Sequence, residues 1–92
     1  MTIQIHYRGQ LAAAMGVDAE KIEIDHHSSM SAILQDLAKK AGPEFSNIVL
    51  DDEGVPRRTL LIAVDGEQVA DYDSCLAPGA NEITLIPPIS GG

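Results

Sequence analysis

The spacing of apolar residues changes along this chain, and these changes limit its fold more than any other feature. In the opening segment TIQIHYR, Ile3, Ile5 and Tyr7 alternate with polar residues, which predicts a β-strand with one buried face. In SSMSAILQDLAKKAGP the apolar residues recur every three or four positions, which predicts an amphipathic helix of about three turns. Alternation returns in EITLI at 82–86. We therefore expect an α+β domain in which a helix covers one face of a sheet.

The predicted helix has residues suited to its beginning and its end. Ser29 can cap the first turn through its side-chain oxygen, and Gly42 followed by Pro43 is expected to end the helix. From Pro43 to Arg58 the pattern is irregular, so we assign no helix or strand there. Within it, FSNIVL is expected to pack as a short segment and DDEGVPRR to form an exposed turn.

Three further strands are predicted. KIEID resumes the alternation after a helical turn over 11–15 that Gly16 ends, and it is expected to pair antiparallel with the opening strand, with Ile22 and Ile24 inward. TLLIAVDGEQV predicts a hairpin in which a six-residue apolar strand, expected to lie inside the sheet, is followed by an Asp-Gly turn and a short strand. The resulting order is β-β-α-β-β-β.

Composition narrows the classes of function. Fourteen acidic against six basic residues give a net charge of -8, which disfavours nucleic acid and anionic membranes as partners, because binding to them depends on Lys and Arg. The single Cys75 cannot form an internal disulfide, and no segment resembles a signal peptide or a membrane span. We therefore expect a cytoplasmic protein with one domain over 1–87, whose partners present basic surfaces.

The last seven residues, IPPISGG, predict a flexible tail over 88–92. Pro87 and Pro88 have no backbone N–H, so they end sheet pairing after Ile86 and favour an extended backbone. Five residues then reach about 15 to 18 Å from the domain. Because glycine has no side chain, a Gly-Gly end can enter a channel that excludes wider residues.

The group that such a tail delivers is the α-carboxylate of Gly92. A carboxylate resists nucleophilic attack, so it must first be activated, and adenylation by ATP turns one oxygen into a leaving group. A sulfur donor then gives a thiocarboxylate, whereas a lysine amine gives an amide. The alternative is an inert, frayed tail of small residues.

Several stretches resemble the ubiquitin-like β-grasp sulfur carriers of the MoaD/ThiS group, above all the small subunit of molybdopterin synthase. The resemblance is most specific in AVDGEQV and NEITLIPPISGG, and weaker in IQIHYRGQLAAAMGVDAEKIEI and SMSAILQDL. It implies a mixed sheet of four to five strands with one main helix packed across it. It also implies that Gly92 bears the sulfur and that Gly91 is its slender neighbour.

The same resemblance implies the partners of the chain. An E1-like enzyme would adenylate Gly92 and consume ATP, sulfur would be installed as a thiocarboxylate, and the tail would then enter a sulfur-accepting enzyme. For molybdenum cofactor biosynthesis, that enzyme is the large synthase subunit. The chain itself is expected to bind no cofactor and to be a carrier without catalytic groups.

The pathway stays open at this stage. PGANEI departs from the acidic Gly-Asp run that often precedes the last strand in the family, and FSNIVLDDEGVPRRTLLIAV also resembles carriers that feed cysteine synthesis. Molybdenum cofactor biosynthesis is the preferred pathway, with cysteine or thiamine-thiazole biosynthesis as alternatives. A ubiquitin-like protein modifier and a plain interaction domain are further alternatives.

The last strand also carries a candidate docking contact. Ile83 and Leu85 share one face, whereas Ile86 lies on the other, where it is either exposed beside the tail or buried under a loop. The apolar run 60–64 could extend the same surface, but burial is its simpler explanation. The predicted partner-binding set is Ile86, Pro88, Ile89, Ser90 and Gly91.

Other residues with metal-binding or nucleophilic chemistry are interpreted as structural. His26 and His27 are adjacent and are expected to point to opposite sides of a strand end, which is poor ligand geometry. DDEG resembles the start of a calcium loop, but the twelfth position from Asp51 is Ile62 and not the required Glu. Cys75 is expected to be a small buried apolar residue. We predict no metal site.

Overall fold

The computed structural model describes residues 2–25, 28–69 and 79–87. Among these residues, no helix combines the length and the apolar character needed to span a bilayer. The elements in chain order are β1 (Thr2–Tyr7), α1 (Gln10–Met15), β2 (Ala19–Glu23), α2 (Met30–Ala41), α3 (Pro43–Val49), β3 (Leu61–Val64), β4 (Glu67–Gln68) and β5 (Glu82–Ile86).

The strands form one mixed sheet in the order β2-β1-β5-β3-β4. β1 and β5 run parallel at its centre, and every other neighbouring pair is antiparallel. The antiparallel pairing of the first two strands, the inner position of β3 and the bounds of β5 are as predicted. The α+β class is therefore confirmed.

The core lies between one face of this sheet and the helices. Alternate residues of β1 and β5 point to this face and are almost fully buried, as the period of two predicted, whereas in β3 Ile62 is fully buried and Val64 is half-buried. The rings of Tyr7 and Phe45 meet edge to face, with centroids 6.3 Å apart. The largest fully buried side chains are Phe45, Ile3, Ile5, Leu11, Met30, Leu34, Leu60, Ile62, Ile83, Leu85 and Val49.

Helix α2 begins and ends where the capping residues predicted. The Ser29 hydroxyl accepts the N–H of Ala32 at 3.1 Å, and the Gly42 N–H donates to the Ala38 carbonyl at 3.0 Å. The short helix α1 ends at Gly16, whose backbone is left-handed, a conformation that glycine tolerates better than other residues do. These ends are determined by local sequence, so the sequence could predict them.

The interpretation of 43–49 as irregular is wrong, because Pro43–Val49 forms helix α3. Gly42, with φ of +98°, redirects the chain, and Pro43 then occupies the first turn, where its missing N–H is not needed. Phe45 and Val49 are one helical turn apart and fully buried. A helix this short depends on packing and not on propensity, which explains why the pattern alone did not predict it.

The segment after α3 forms the predicted exposed turn. One carboxylate oxygen of Asp51 accepts the N–H groups of Glu53 and Val55 at 2.9 and 3.0 Å. The side-chain amide of Gln35 on α2 donates to the Gly54 carbonyl at 2.9 Å, which fixes the turn against the helix. Asp51 is therefore a turn-forming residue.

The predicted hairpin is present, although β3 has four residues instead of six. Asp65 and Gly66 form its turn with φ of 51° and 87°. One Asp65 carboxylate oxygen accepts the N–H groups of Asn81 and Glu82 at 3.1 and 2.9 Å, and the Asp65 N–H donates to the Glu82 carbonyl. The turn thereby fixes the start of β5, the strand that leads to the tail.

Candidate docking surface beside the C-terminal tail

The point where the chain leaves the sheet is well defined. The Leu85 carbonyl accepts the N–H of Arg8 at 3.1 Å, which continues the pairing of β5 with β1. Pro87 lies over the turn after β1, since a Cβ on Gly9 would be 3.6 Å from Pro87 Cγ. Gly9 has φ of 53° and ψ of -130°, a combination that is open to glycine almost alone.

The two faces of β5 differ as the alternation predicted. Ile83 and Leu85 are fully buried, whereas 38% of Ile86 is exposed. The prediction that Ile86 is exposed is confirmed, and its alternative, burial under a loop, is wrong. Its role in docking stays a prediction.

A second exposed apolar residue lies opposite Ile86. In the antiparallel register of β3 and β5, Leu61 pairs with Ile86, and 45% of Leu61 is exposed. Burial explains Leu60 and Ile62, but it was the wrong explanation for Leu61. The alternation places Leu61 on one face with Ala63 and Asp65, but the apolar run does not show whether that face is covered.

The open face of the sheet becomes polar along β5 away from this apolar pair. Thr84 is half-buried between His6 and Ala63, its partners on the two neighbouring strands. The His6 Nε2 lies 3.4 Å from the Glu82 Oε1 at the far end of β5. We call Leu61, Ala63, Thr84 and Ile86 the docking surface. Its apolar centre and polar margin resemble those of protein interfaces.

The remaining predicted site residues lie outside the described residues. They are Pro88, Ile89, Ser90, Gly91 and Gly92 of the tail, together with His26, His27 and Cys75. Their predicted roles, and the domain boundary at 87, stay predictions. Across 2–25, 28–69 and 79–87, no three His, Cys, Asp or Glu side chains are grouped to hold a metal ion.

Comparisons with known proteins identify the family of this chain. The family model that matches is that of the ThiS family, and the match spans residues 5–92. No match to a curated protein sequence was found.

Solved structures with the same fold cover almost the whole chain. SAMP1, small archaeal modifier protein 1, from Haloferax volcanii is 25% identical, with a TM-score of 0.83 and 100% of both chains covered. A putative molybdopterin converting factor, subunit 1, from Pyrococcus furiosus is 24% identical, with a TM-score of 0.73 and coverage of 97% of this chain and 99% of that chain. CysO from Mycobacterium tuberculosis is 16% identical, with a TM-score of 0.66 and coverage of 95% and 99%.

These neighbours are ubiquitin-like β-grasp proteins, which confirms the predicted fold. Members of their families are small carriers that work with E1-like activating enzymes and sulfur-accepting enzymes. Because the family model matches almost the entire chain, this protein belongs to the ThiS family of ubiquitin-like sulfur carriers and modifiers.

Proposed function

We propose that this protein carries sulfur on the carboxylate of Gly92. The observation that supports this function best is the exposed Leu61 and Ile86 pair, in which Ile86 ends β5 immediately before Pro87 and the predicted tail over 88–92. A partner enzyme that binds this pair holds the tail at a fixed distance from its own active site. The tail, in turn, is narrow enough to enter a channel because it ends in two glycines.

The proposed chemistry proceeds in three steps. An E1-like enzyme joins a carboxylate oxygen of Gly92 to the α-phosphorus of ATP, and pyrophosphate leaves. A sulfur nucleophile then attacks the acyl carbon and displaces AMP, which leaves a thiocarboxylate. The thiocarboxylate sulfur then forms a bond to the substrate of the accepting enzyme, which gives a thioester, and water attacks the acyl carbon, so that the sulfur leaves with that substrate and the carboxylate of Gly92 is restored. The carrier supplies the acyl carbon and its position, while its partners supply the catalytic groups.

We propose further that the accepting enzyme is the large subunit of molybdopterin synthase, which uses two such sulfurs to build a dithiolene. The stretches AVDGEQV and NEITLIPPISGG support this pathway, since they resemble the small subunit of that synthase. The fold is shared with the putative molybdopterin converting factor subunit from Pyrococcus furiosus. In cysteine or thiamine-thiazole biosynthesis, the same carrier chemistry would serve a different acceptor.

A second candidate function is protein modification, in which Gly92 forms an amide with a lysine of a target. It is favoured by the match to SAMP1, a modifier protein by name, which is 25% identical and aligns over its whole length. Both functions share the adenylation step. They differ in the nucleophile that displaces AMP.

Reconstitution with an E1-like enzyme, ATP and a sulfide donor tests the proposal by intact-protein mass spectrometry. We expect one terminal oxygen to be replaced by sulfur in the wild-type chain, and no change in a chain that lacks Gly92. Branched Gly-Gly remnants on lysines of cellular proteins, without any thiocarboxylate, would instead establish the modifier function. Complementation of strains lacking the carrier for molybdopterin, cysteine or thiazole synthesis then identifies the acceptor.

A further inference from the structure

The sheet has an open edge on the side away from the docking surface. β2 is the first strand in the order β2-β1-β5-β3-β4, so none of the described strands pairs with its outer side. On its inner side β2 pairs with β1, and the Tyr7 N–H donates to the Asp18 carbonyl at 2.8 Å where this β1–β2 pairing begins. Alternation along an antiparallel ladder then turns the backbone groups of Ala19 and Lys21 away from β1. They are available to an added strand.

A groove runs beside this edge, between β2 and α2. It consists of two adjoining cavities of about 420 and 250 Å³, which share Ile22, Glu23, Leu37 and Lys40 among their lining residues. Ile22 and Leu37 are apolar lining residues of the groove. Glu20 shares the helix-facing side of β2 with Ile22, whereas Lys21 and Glu23 alternate to the opposite side, where the Glu23 carboxylate accepts the Thr2 hydroxyl. An open strand edge above apolar pockets is the arrangement that binds extended peptides by strand addition, with alternate side chains entering the pockets.

The charges that line the groove indicate which peptide would fit. Without Lys21 and Glu23, three acidic residues line the two cavities against one lysine, on a protein with a net charge of -8. Electrostatic complementarity therefore favours a basic segment. The acidic residues are Glu20, Asp25 and Asp36, and the lysine is Lys40.

The same charges disfavour a second copy of this chain as the occupant. Antiparallel self-pairing of β2 about its middle residue would place Lys21 directly opposite Lys21 of the copy. Like charges directly opposite each other destabilise a strand pair. Two chains that each carry a net charge of -8 would also repel each other.

We infer that the groove between β2 and α2 is a second docking site, which binds an extended segment of alternating apolar and basic residues from a partner protein. The site does not depend on the chemistry of Gly92. β1 separates β2 from the strands that carry the docking surface, so one partner could bind both sites at once.

Titration with a synthetic heptapeptide of alternating valine and lysine, followed by amide resonances of the 15N-labelled protein, tests the inference. We expect shifts concentrated in Ala19–Glu23 and in 33–40. A peptide of alternating valine and glutamate should bind at least about tenfold more weakly. Two further peptides, N-methylated on odd or even residues, test the backbone contacts, because methylation in one of these registers should abolish binding.

Charge reversal separates the groove from general electrostatics. Asp36→Lys should weaken binding of the lysine peptide about tenfold, whereas Asp52→Lys, which changes the net charge equally in the exposed turn, should weaken it less than about twofold. Unchanged resonances elsewhere establish that each variant is folded.

Several results would overturn the inference. They are no binding at millimolar peptide, shifts centred on Leu61 and Ile86, equal effects of the two charge reversals, and equal binding of the glutamate peptide. Concentration-dependent shifts in Ala19–Glu23 without any peptide would identify a second copy as the occupant instead. The chain that lacks Gly92 should bind the peptide normally, so failure of the sulfur-carrier function would leave this test intact.

Discussion

Leu61 and Ile86 are directly paired across two antiparallel strands, and both are exposed on the face of the sheet opposite the core. Side chains on directly opposite residues of such strands lie close enough to form one continuous contact area. Ile86 ends β5 and only Pro87 separates it from the predicted tail over 88–92, so we expect a protein that covers this pair to position the tail. The pair is small, and its importance in the docking surface comes from its position at the end of β5.

Truncation of the pair should weaken partner binding without affecting folding. We expect Leu61→Ala and Ile86→Ala each to lower the affinity for the E1-like enzyme about tenfold, or by about 1–2 kcal/mol, as apolar contacts at an interface centre do. Titration calorimetry measures this loss. The matched control is Val55→Ala, since Val55 is 49% exposed in the turn over 51–55. Equal losses for all three variants would contradict the assignment of the surface.

Replacement of Gly9 should destabilise the fold where Pro87 covers it. Its φ of 53° and ψ of -130° are strained for any side chain, so Gly9→Ala should lower the free energy of unfolding by about 2–3 kcal/mol. Gly16→Ala should lower it by only about 1 kcal/mol, because Gly16 occupies the left-handed region that other residues tolerate. Urea unfolding compares the two variants. A larger loss for Gly16→Ala would contradict the claim that the backbone at Gly9, where Pro87 covers it, excludes other residues.

Loss of the Asp65 carboxylate should destabilise the link between the hairpin turn and β5. Asp65→Ala removes the acceptor of the Asn81 and Glu82 N–H groups, so we expect a loss of about 2–3 kcal/mol in unfolding free energy. Asp65→Asn keeps an acceptor oxygen and tolerates the positive φ, so it should retain about half of that stability. Thermal unfolding by circular dichroism provides the comparison. If Asp65→Asn were as unstable as Asp65→Ala, the hydrogen bonds would not be the cause.

Tyr7 should make the protein sensitive to alkaline pH. Burial raises the pKa of the Tyr7 hydroxyl well above its ordinary value, and the nearby Glu20 carboxylate adds to the rise. Above about pH 10 the unfolded chain loses this proton while the folded chain keeps it, so the free energy of unfolding falls as the pH rises. Tyr7→Phe should reduce this fall. Urea unfolding from about pH 8 to about pH 11, a range that spans the ordinary pKa of tyrosine, would measure it.

The same substitution has a second expected effect at neutral pH. The Tyr7 hydroxyl is buried, and although the Glu20 carboxylate is close enough to raise its pKa, the two groups do not meet the geometry of a hydrogen bond, nor does any other group among the described residues. A buried polar group without a partner destabilises a fold by about 1–3 kcal/mol, so Tyr7→Phe should be neutral or stabilising by about 1 kcal/mol. A clear destabilisation at neutral pH would indicate that the hydroxyl has a partner.

The sequence by itself determined the features that depend on neighbours along the chain. The alternation of Ile3, Ile5 and Tyr7 gave β1 its buried face, because successive side chains of a strand point to opposite sides. Ser29 and Gly42 set the ends of α2 through hydrogen bonds that reach only one turn. The predicted roles of the prolines and glycines over 87–92 rest on the backbone geometry of these residue types and stay predictions.

The tertiary structure alone decided what depends on residues distant in the sequence. The exposure of Leu61 follows from its register with Ile86, twenty-five positions away, and an apolar run looks the same whether one or both of its faces are covered. Helix α3 is stabilised by the burial of Phe45 and Val49 in the core. That burial depends on distant segments and not on the local pattern. The groove beside β2 likewise requires a strand edge and a helix brought together by the fold. Local geometry acts over a few residues, whereas burial and strand register are set by contacts between segments far apart in the chain.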